Sequence, residues 1–241
     1  MKCDSARFFV SLSMILFVAL FTWSCSSSSG PSETTHLLSE PIAYFPFNGN
    51  ADDESGNGED GTVNGAVLTT DRFDDADAAY SFNGTDQYIQ TPLTSNMLPL
   101  SFSVWFKSSA NWGERSIVDS DVAGDGGHSL ITGWWGGDDE LDVEYHGGGV
   151  DSDYSIELDT WYHAVVTFSD VIRLYVDGEK VGEDFDYSTY DADGDDFRFG
   201  RHNVSDPQWF SGKIDDVRFY DWVLTQTHVD TLYSEGGWTG R

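Results

Sequence analysis

Hydrophobic residues in this chain recur at every second position, in short runs separated by clusters of glycine, aspartate and asparagine. Phe102, Val104 and Phe106 alternate with Ser103, Trp105 and Lys107, and Leu141, Val143 and Tyr145 alternate with Glu140, Asp142, Glu144 and His146. A period of two puts one set of side chains on each face of a strand. Ala164 to Phe168 is nearly continuous in apolar residues, which predicts a strand buried on both faces. Ile172, Leu174 and Val176 alternate with Arg173 and Tyr175, and Asp177-Gly178 then leads into Lys180 and Val181. Asp-Gly between two such runs is a hairpin signal, because both residues tolerate a positive φ. Ile214, Val217 and Phe219 mark a further strand. Helical spacing appears only near the end, with Thr225 as N-cap and Val229, Leu232 and Tyr233 on the apolar face. The pattern from Pro41 onward predicts an all-β sandwich closed by one short helix, with no repeat of fixed period.

The first residues follow another pattern. Lys2 and Arg7 precede an apolar run from Phe8 to Phe21, which is too short for a membrane-spanning helix and right for an export signal over residues 1–24. Thr22-Trp23-Ser24-Cys25 and the serines after it resemble the cleavage and lipidation site of bacterial lipoproteins. Acylation at Cys25 would anchor the exported chain to a membrane surface, at the cell surface or in the periplasm. Residues 25–40 then read as a lipidated, Ser/Thr/Pro-rich tether, and 41–241 as the folded part. The two cysteines are Cys3 and Cys25, so the folded part carries no disulfide and must rest on its core.

Charge narrows the choice of partners. The chain holds 42 acidic and 12 basic residues, a formal net charge of −30. Such a surface repels nucleic acid and anionic lipid, and it suits saline surroundings in which ions screen the self-repulsion.

Several stretches resemble one family. Trp161-Tyr162-His163-Ala164-Val165-Val166-Thr167-Phe168 with Ile172 to Gly178 is similar to the W-x-H-V-A-V-T-F … L-x-L-Y-V-D-G stretch of laminin-G-like, concanavalin A-like domains. Phe210 to Tyr220 resembles their F-x-G-x-I-D-D-V-R-I-Y strand. Tyr44 to Ala51, leading into Asp53-Glu54-Ser55-Gly56-Asn57-Gly58, is similar to their opening strand and loop, and Ser81 to Gly84 with Tyr88-Ile89 to the next element. The chain departs from the pattern at Trp222, where arginine is commoner, and at His228, where glutamate often sits. The resemblance implies an antiparallel jelly-roll sandwich and, for a surface protein, a carbohydrate-binding or contact-making module. Fold alone does not give function, since enzymes share it.

Three functions remain in view. The first is a non-catalytic lectin-like module binding polysaccharide or a cell-surface glycan. Sugar rings stack on flat aromatics and pair their hydroxyls with polar groups, and Trp112, Trp134, Trp135 and Trp209 lie in glycine- or polar-rich segments fit for that task. Trp105 and Trp161 sit in strand motifs and read as packing. The second is a retaining endo-β-glucanase, because Glu140-Leu141-Asp142-Val143-Glu144 looks like the E-[IL]-D-x-E strand of laminarinase-type hydrolases. A retaining pair needs carboxyls about 5–5.5 Å apart, whereas strand positions i and i+4 lie roughly 13 Å apart along the backbone. The third is an adhesive domain with a protein partner. The resemblance also implies a structural calcium, pointing to Asp215 with Asp53 and Asn57 as partners; the alternative is that Asp53 to Asn57 is an Asx turn. The acidic runs Asp191 to Asp196 and Asp119-Asp121-Asp125 read as solvated surface, and His128, His146 and His202 as surface histidines without metal spacing.

Overall fold

The alternating runs become β1 (Ala43–Phe45), β2 (Thr62–Asn64), β3 (Val67–Thr69), β4 (Ala79–Asn83), β5 (Tyr88–Thr94), β6 (Leu100–Ser108), β7 (Arg115–Asp119) and β8 (Ser129–Thr132). They continue as β9 (Leu141–Tyr145), β10 (Gly148–Val150), β11 (Trp161–Phe168), β12 (Val171–Val176), β13 (Glu179–Asp186), β14 (Asp196–Phe199) and β15 (Ser211–Tyr220), followed by the helix α1 (Gln226–Tyr233). These elements come from a computed structural model that describes residues 40–96, 99–110, 113–120, 127–133, 139–145, 148–186, 195–202 and 208–240.

Two antiparallel sheets face each other. The first runs β13-β12-β11-β6-β15-β4-β3, with β1 also paired to β15. The second runs β10-β9-β8-β7-β14-β5-β2. The long β15 lies beside β6 on one edge and takes β4 and then β1 on the other. Gly212 makes the contact with β6 possible, because a Cβ there would sit 2.2 Å from the Lys107 carbonyl oxygen. The Asp177-Gly178 turn joins β12 to β13 with φ of 49° and 90°, the left-handed pair that such a hairpin requires.

The inward set of each strand forms the core: Phe102, Val104 and Phe106 from β6, Leu141 and Val143 from β9, and Phe197 and Phe199 from β14, all fully buried. Phe197 of the second sheet meets Phe219 of the first at 4.6 Å between ring centres. Each such side chain contributes roughly 1.5–3 kcal/mol by leaving water, which is how a chain without a disulfide in its fold holds together.

The outer faces differ. The first sheet's outer face is covered by the chain's own C-terminus, where Leu224, Val229 and Leu232 pack on Val165, Tyr175 and Tyr220. Tyr233 stacks on Trp105 at 5.8 Å and 15°, and Trp238 meets the same indole edge-on at 5.2 Å. Trp105 and Trp161 are therefore packing residues, 1% and 8% exposed. His163 lies beside both Trp105 and Tyr233, and burial, with the charges of Arg72 and Arg218 nearby, pushes its imidazole down to about 3. The helix begins at Thr225, whose amide donates to Nδ1 of His228 at 3.1 Å. His228 thus fills the role of the capping-box acceptor at N3, and Trp222 meets its ring edge-on at 4.7 Å. The two departures from the family pattern are in contact with each other.

Candidate functional site

The second sheet's outer face carries polar side chains. Cross-strand register aligns Glu144 of β9 with Ser129 of β8, Arg198 of β14 with Asp119 of β7, and Arg198 with Gln90 of β5. Asp119 is fully buried, and a buried carboxylate is tolerated only when paired. Its Oδ2 accepts from Ser129 Oγ and lies 2.7 Å from His202 Nδ1, while Arg198 stands 3.9 Å from Oδ1. Arg198 Nε donates to Gln90 Oε1 at 3.2 Å, Gln90 Nε2 donates to Asp196 at 3.2 Å, and Asp195 pairs with the Arg198 guanidinium. Gln90, Asp119, Ser129, Asp195, Asp196, Arg198 and His202 thus pair with one another.

An aromatic site lies on the same face. Tyr88 precedes Gln90 by two residues on β5, so both side chains point outward while Ile89 enters the core. Trp209 bridges through its backbone to Arg201, and its ring lies 6.0 Å from that of Tyr88. The Arg201 guanidinium sits 4.9 Å from the Tyr88 ring centre and 5.0 Å from that of Trp209. Arg115, at the start of β7, donates from Nη1 to the Trp209 carbonyl at 2.8 Å. The amide of Gln208 donates to Glu114. Arg115 Nε, Arg201 Nε and Gln208 Oε1 are turned from solvent and lack a hydrogen-bond partner among the described residues. A half-buried indole beside a tyrosine, with a half-exposed guanidinium resting on both rings, provides the flat apolar planes and polar edge that sugar recognition uses.

The residues singled out from sequence separate in space. Trp209 is in this site; Trp112, Trp134 and Trp135 lie outside the described residues, as do Cys25, His146, Asp121, Asp125, Asp191 and Asp193. Asp142 and Glu144 share the outward face of β9, with Glu140 just ahead of the strand. Asp142 is 0% and Glu144 5% exposed, and the Ser152 amide donates to Asp142 at 3.3 Å. Both carboxylates are thus enclosed rather than spread on an open face. Glu140 clusters instead with Asp151 and Asp153, their oxygens within 4.8 Å of one another. His128 and His202 are not surface residues: both are buried, His128 edge-on to Phe168 at 4.5 Å and His202 against Asp119.

Asp53, Asn57 and Asp215 do not fit a shared calcium ion. Asp53 accepts from the amides of Tyr44, Ser55, Gly58 and Glu59 and from Ser55 Oγ, which closes its turn. Burial pushes its carboxyl up, but the amides of Tyr44, Ser55 and Glu59 and the Ser55 hydroxyl outweigh this and hold it below the usual aspartate value. Asn57 Nδ2 donates to the Ile42 carbonyl and to Ser55 Oγ, completing the Asx-type turn. Asp215 is elsewhere, bound by Arg72 at 2.6 Å in a pocket of about 260 Å³ behind β15. Arg72 also holds Asp216, and Arg218 joins Asp216 to Glu235. Two guanidiniums already occupy the place a cation would take.

Comparison with known proteins agrees with this architecture. A family model for the concanavalin A-like lectin/glucanases superfamily matches residues 83–230. Domain 4 of AbnA, an extracellular arabinanase of Geobacillus stearothermophilus solved in complex with arabinotriose, is similar at TM-score 0.66 and 23% identity, covering 80% of this chain and 98% of that one. The binding domain of botulinum neurotoxin serotype D is similar at 0.63 and 17%, covering 82% and 52%. Trypanosoma rangeli sialidase in complex with sialic acid is similar at 0.63 and 17%, covering 79% and 32%. This chain therefore spans about half of the toxin domain and a third of the sialidase. No curated protein matches it in sequence.

Proposed function

The chain belongs to the concanavalin A-like lectin/glucanase superfamily, and from that premise we propose that it is a non-catalytic carbohydrate-binding module acting through the outer face of its second sheet. The observation that carries this reading is the stack of Tyr88, Arg201 and Trp209, with Arg115 and Gln208 at its border. Its aromatic planes suit the C–H faces of a sugar ring, and the terminal guanidinium nitrogens of half-exposed Arg201 suit hydroxyls. The burial of Asp142 and Glu144 supports binding over hydrolysis. Part of the first sheet's outer face is occupied by the C-terminal segment. That structures of the same fold were solved with arabinotriose and with sialic acid supports carbohydrate as the ligand class.

A glycan array followed by calorimetry on the strongest hit tests the proposal. Trp209→Ala is expected to weaken binding roughly tenfold or more, as truncation of a central aromatic anchor does, with the thermal melt preserved. Undiminished binding by the variant would overturn this placement of the site. Release of reducing sugar from the bound glycan would overturn the non-catalytic reading.

A further inference from the structure

Positive charge is scarce in this chain, and its distribution is informative. Six arginines are described: Arg72, Arg115, Arg173, Arg198, Arg201 and Arg218. Four are committed to carboxylates. Arg72 holds Asp215 and Asp216, Arg173 holds Asp184, Arg198 holds Asp195, and Arg218 holds Asp216 and Glu235. Arg115 and Arg201 have no carboxylate within ion-pair distance among the described residues, and both lie against Trp209. Among the described residues, the two arginines without a carboxylate partner meet at one aromatic site.

Their local geometry is that of held, unspent donors. Arg201 rests against two neighbouring rings at once, which costs it no hydrogen bonds, so its terminal guanidinium nitrogens keep their N–H groups. Arg115 spends one nitrogen on the Trp209 carbonyl and keeps Nε turned from solvent without a partner. Both arginines are half-exposed and neither faces a carboxylate among the described residues, so an arriving carboxylate or sulfate would supply the missing counter-charge through charge-assisted bonds. The nearby acid Glu114 is exposed and engaged by the Gln208 amide, not by either arginine.

We propose that the Trp209 site selects anionic sugars, those bearing a carboxylate or a sulfate ester, with the sugar ring on Trp209 and Tyr88 and the anionic group on Arg115 and Arg201. The proposal rests on the carbohydrate-binding reading above and adds the class of glycan. The chain's overall negative charge does not steer such a ligand in. Screening limits that field to about 8 Å at physiological ionic strength, so recognition depends on the two arginines at contact.

Calorimetry on the full chain tests it, using oligogalacturonate, a sulfated galacto-oligosaccharide and their neutral counterparts. The wild type is expected to prefer one or both anionic ligands to the matched neutral sugar. Arg115→Gln and Arg201→Gln are each expected to weaken anionic binding roughly tenfold or more and neutral-sugar binding by a clearly smaller factor, so that the anionic preference collapses while the thermal melt shows each variant folded. Which anionic ligand responds decides between carboxylate and sulfate. Neutral binding lost in Trp209→Ala, together with anionic binding untouched by both arginine variants, would overturn the anionic class and leave the carbohydrate site standing. Binding of none of these sugars by the wild type would overturn both.

Discussion

Asp53 shows how one side chain can organise a loop. Five donors from residues 44 to 59 converge on its carboxylate, so the opening strand and the following turn are held through a single anion. Asparagine at this position would keep one acceptor and turn an NH2 toward the remaining N–H groups. Asp53→Asn is therefore expected to cost about 1.5–3 kcal/mol, the range for hydrogen bonds to a charged group. The sign with pH follows from the depressed folded-state pKa. The contribution is fully present above the unfolded value near 4 and is lost as pH falls through the lower folded value. Urea unfolding of wild type and variant should differ fully at pH 7 and converge below about pH 4; a constant gap would show that the charge is not what matters. The residues of the Trp209 site are a contrasting case. Trp209 stood out in sequence as an aromatic in a polar segment, but Tyr88, Arg115 and Arg201 come from β5, β7 and the end of β14, and nothing local to any of them marks a shared site. The one available signal was the scarcity of basic residues, which makes each arginine a question.

At the scale of the element, local pattern carried most of the strands. Alternation in β6 and β9, the apolar run of β11 and the Asp177-Gly178 turn all appear as expected, because side-chain period and turn chemistry are short-range properties. The helix α1 also starts at Thr225, though its cap uses His228 where glutamate would be usual. His228→Ala is expected to lower stability by about 1 kcal/mol, a drop in melting temperature of about 2–4 °C for a domain of this size. His228→Gln, able to reach back to the Thr225 amide, should recover most of it. Equal losses in the two variants would place the contribution in the Trp222 contact instead. The E-x-D-x-E strand teaches the converse. Its period puts the acids on the outward face as expected, but facing outward from a core does not mean facing solvent.

For the whole molecule, charge and packing act against each other. A net charge of −30 repels itself at all ranges that ions do not screen, while the two-sheet core holds the strands together. Raising salt from about 0.01 to 1 M shortens the screening length from roughly 30 to 3 Å. The melting temperature should rise steadily over that range. A flat response would mean that the acidic side chains are already spaced beyond mutual influence. The same scale decides which surface is covered: α1 and Trp238 pack over part of the first sheet's outer face.

The sequence by itself determined the strand pattern, the sandwich class, the terminal helix, the export and lipidation expectations and the acidic character, since each depends on neighbours in the chain or on composition. Tertiary structure alone decided what the polar residues do. It bound Asp215 to Arg72, closed the Asp53 turn on itself, buried Asp142 and Glu144, and brought Tyr88, Arg115, Arg201 and Trp209 together. The physical reason is that a charged or aromatic side chain takes its role from the partners and the solvent around it, and here such partners lie as far as 174 residues away along the chain, as with Arg218 and Tyr44.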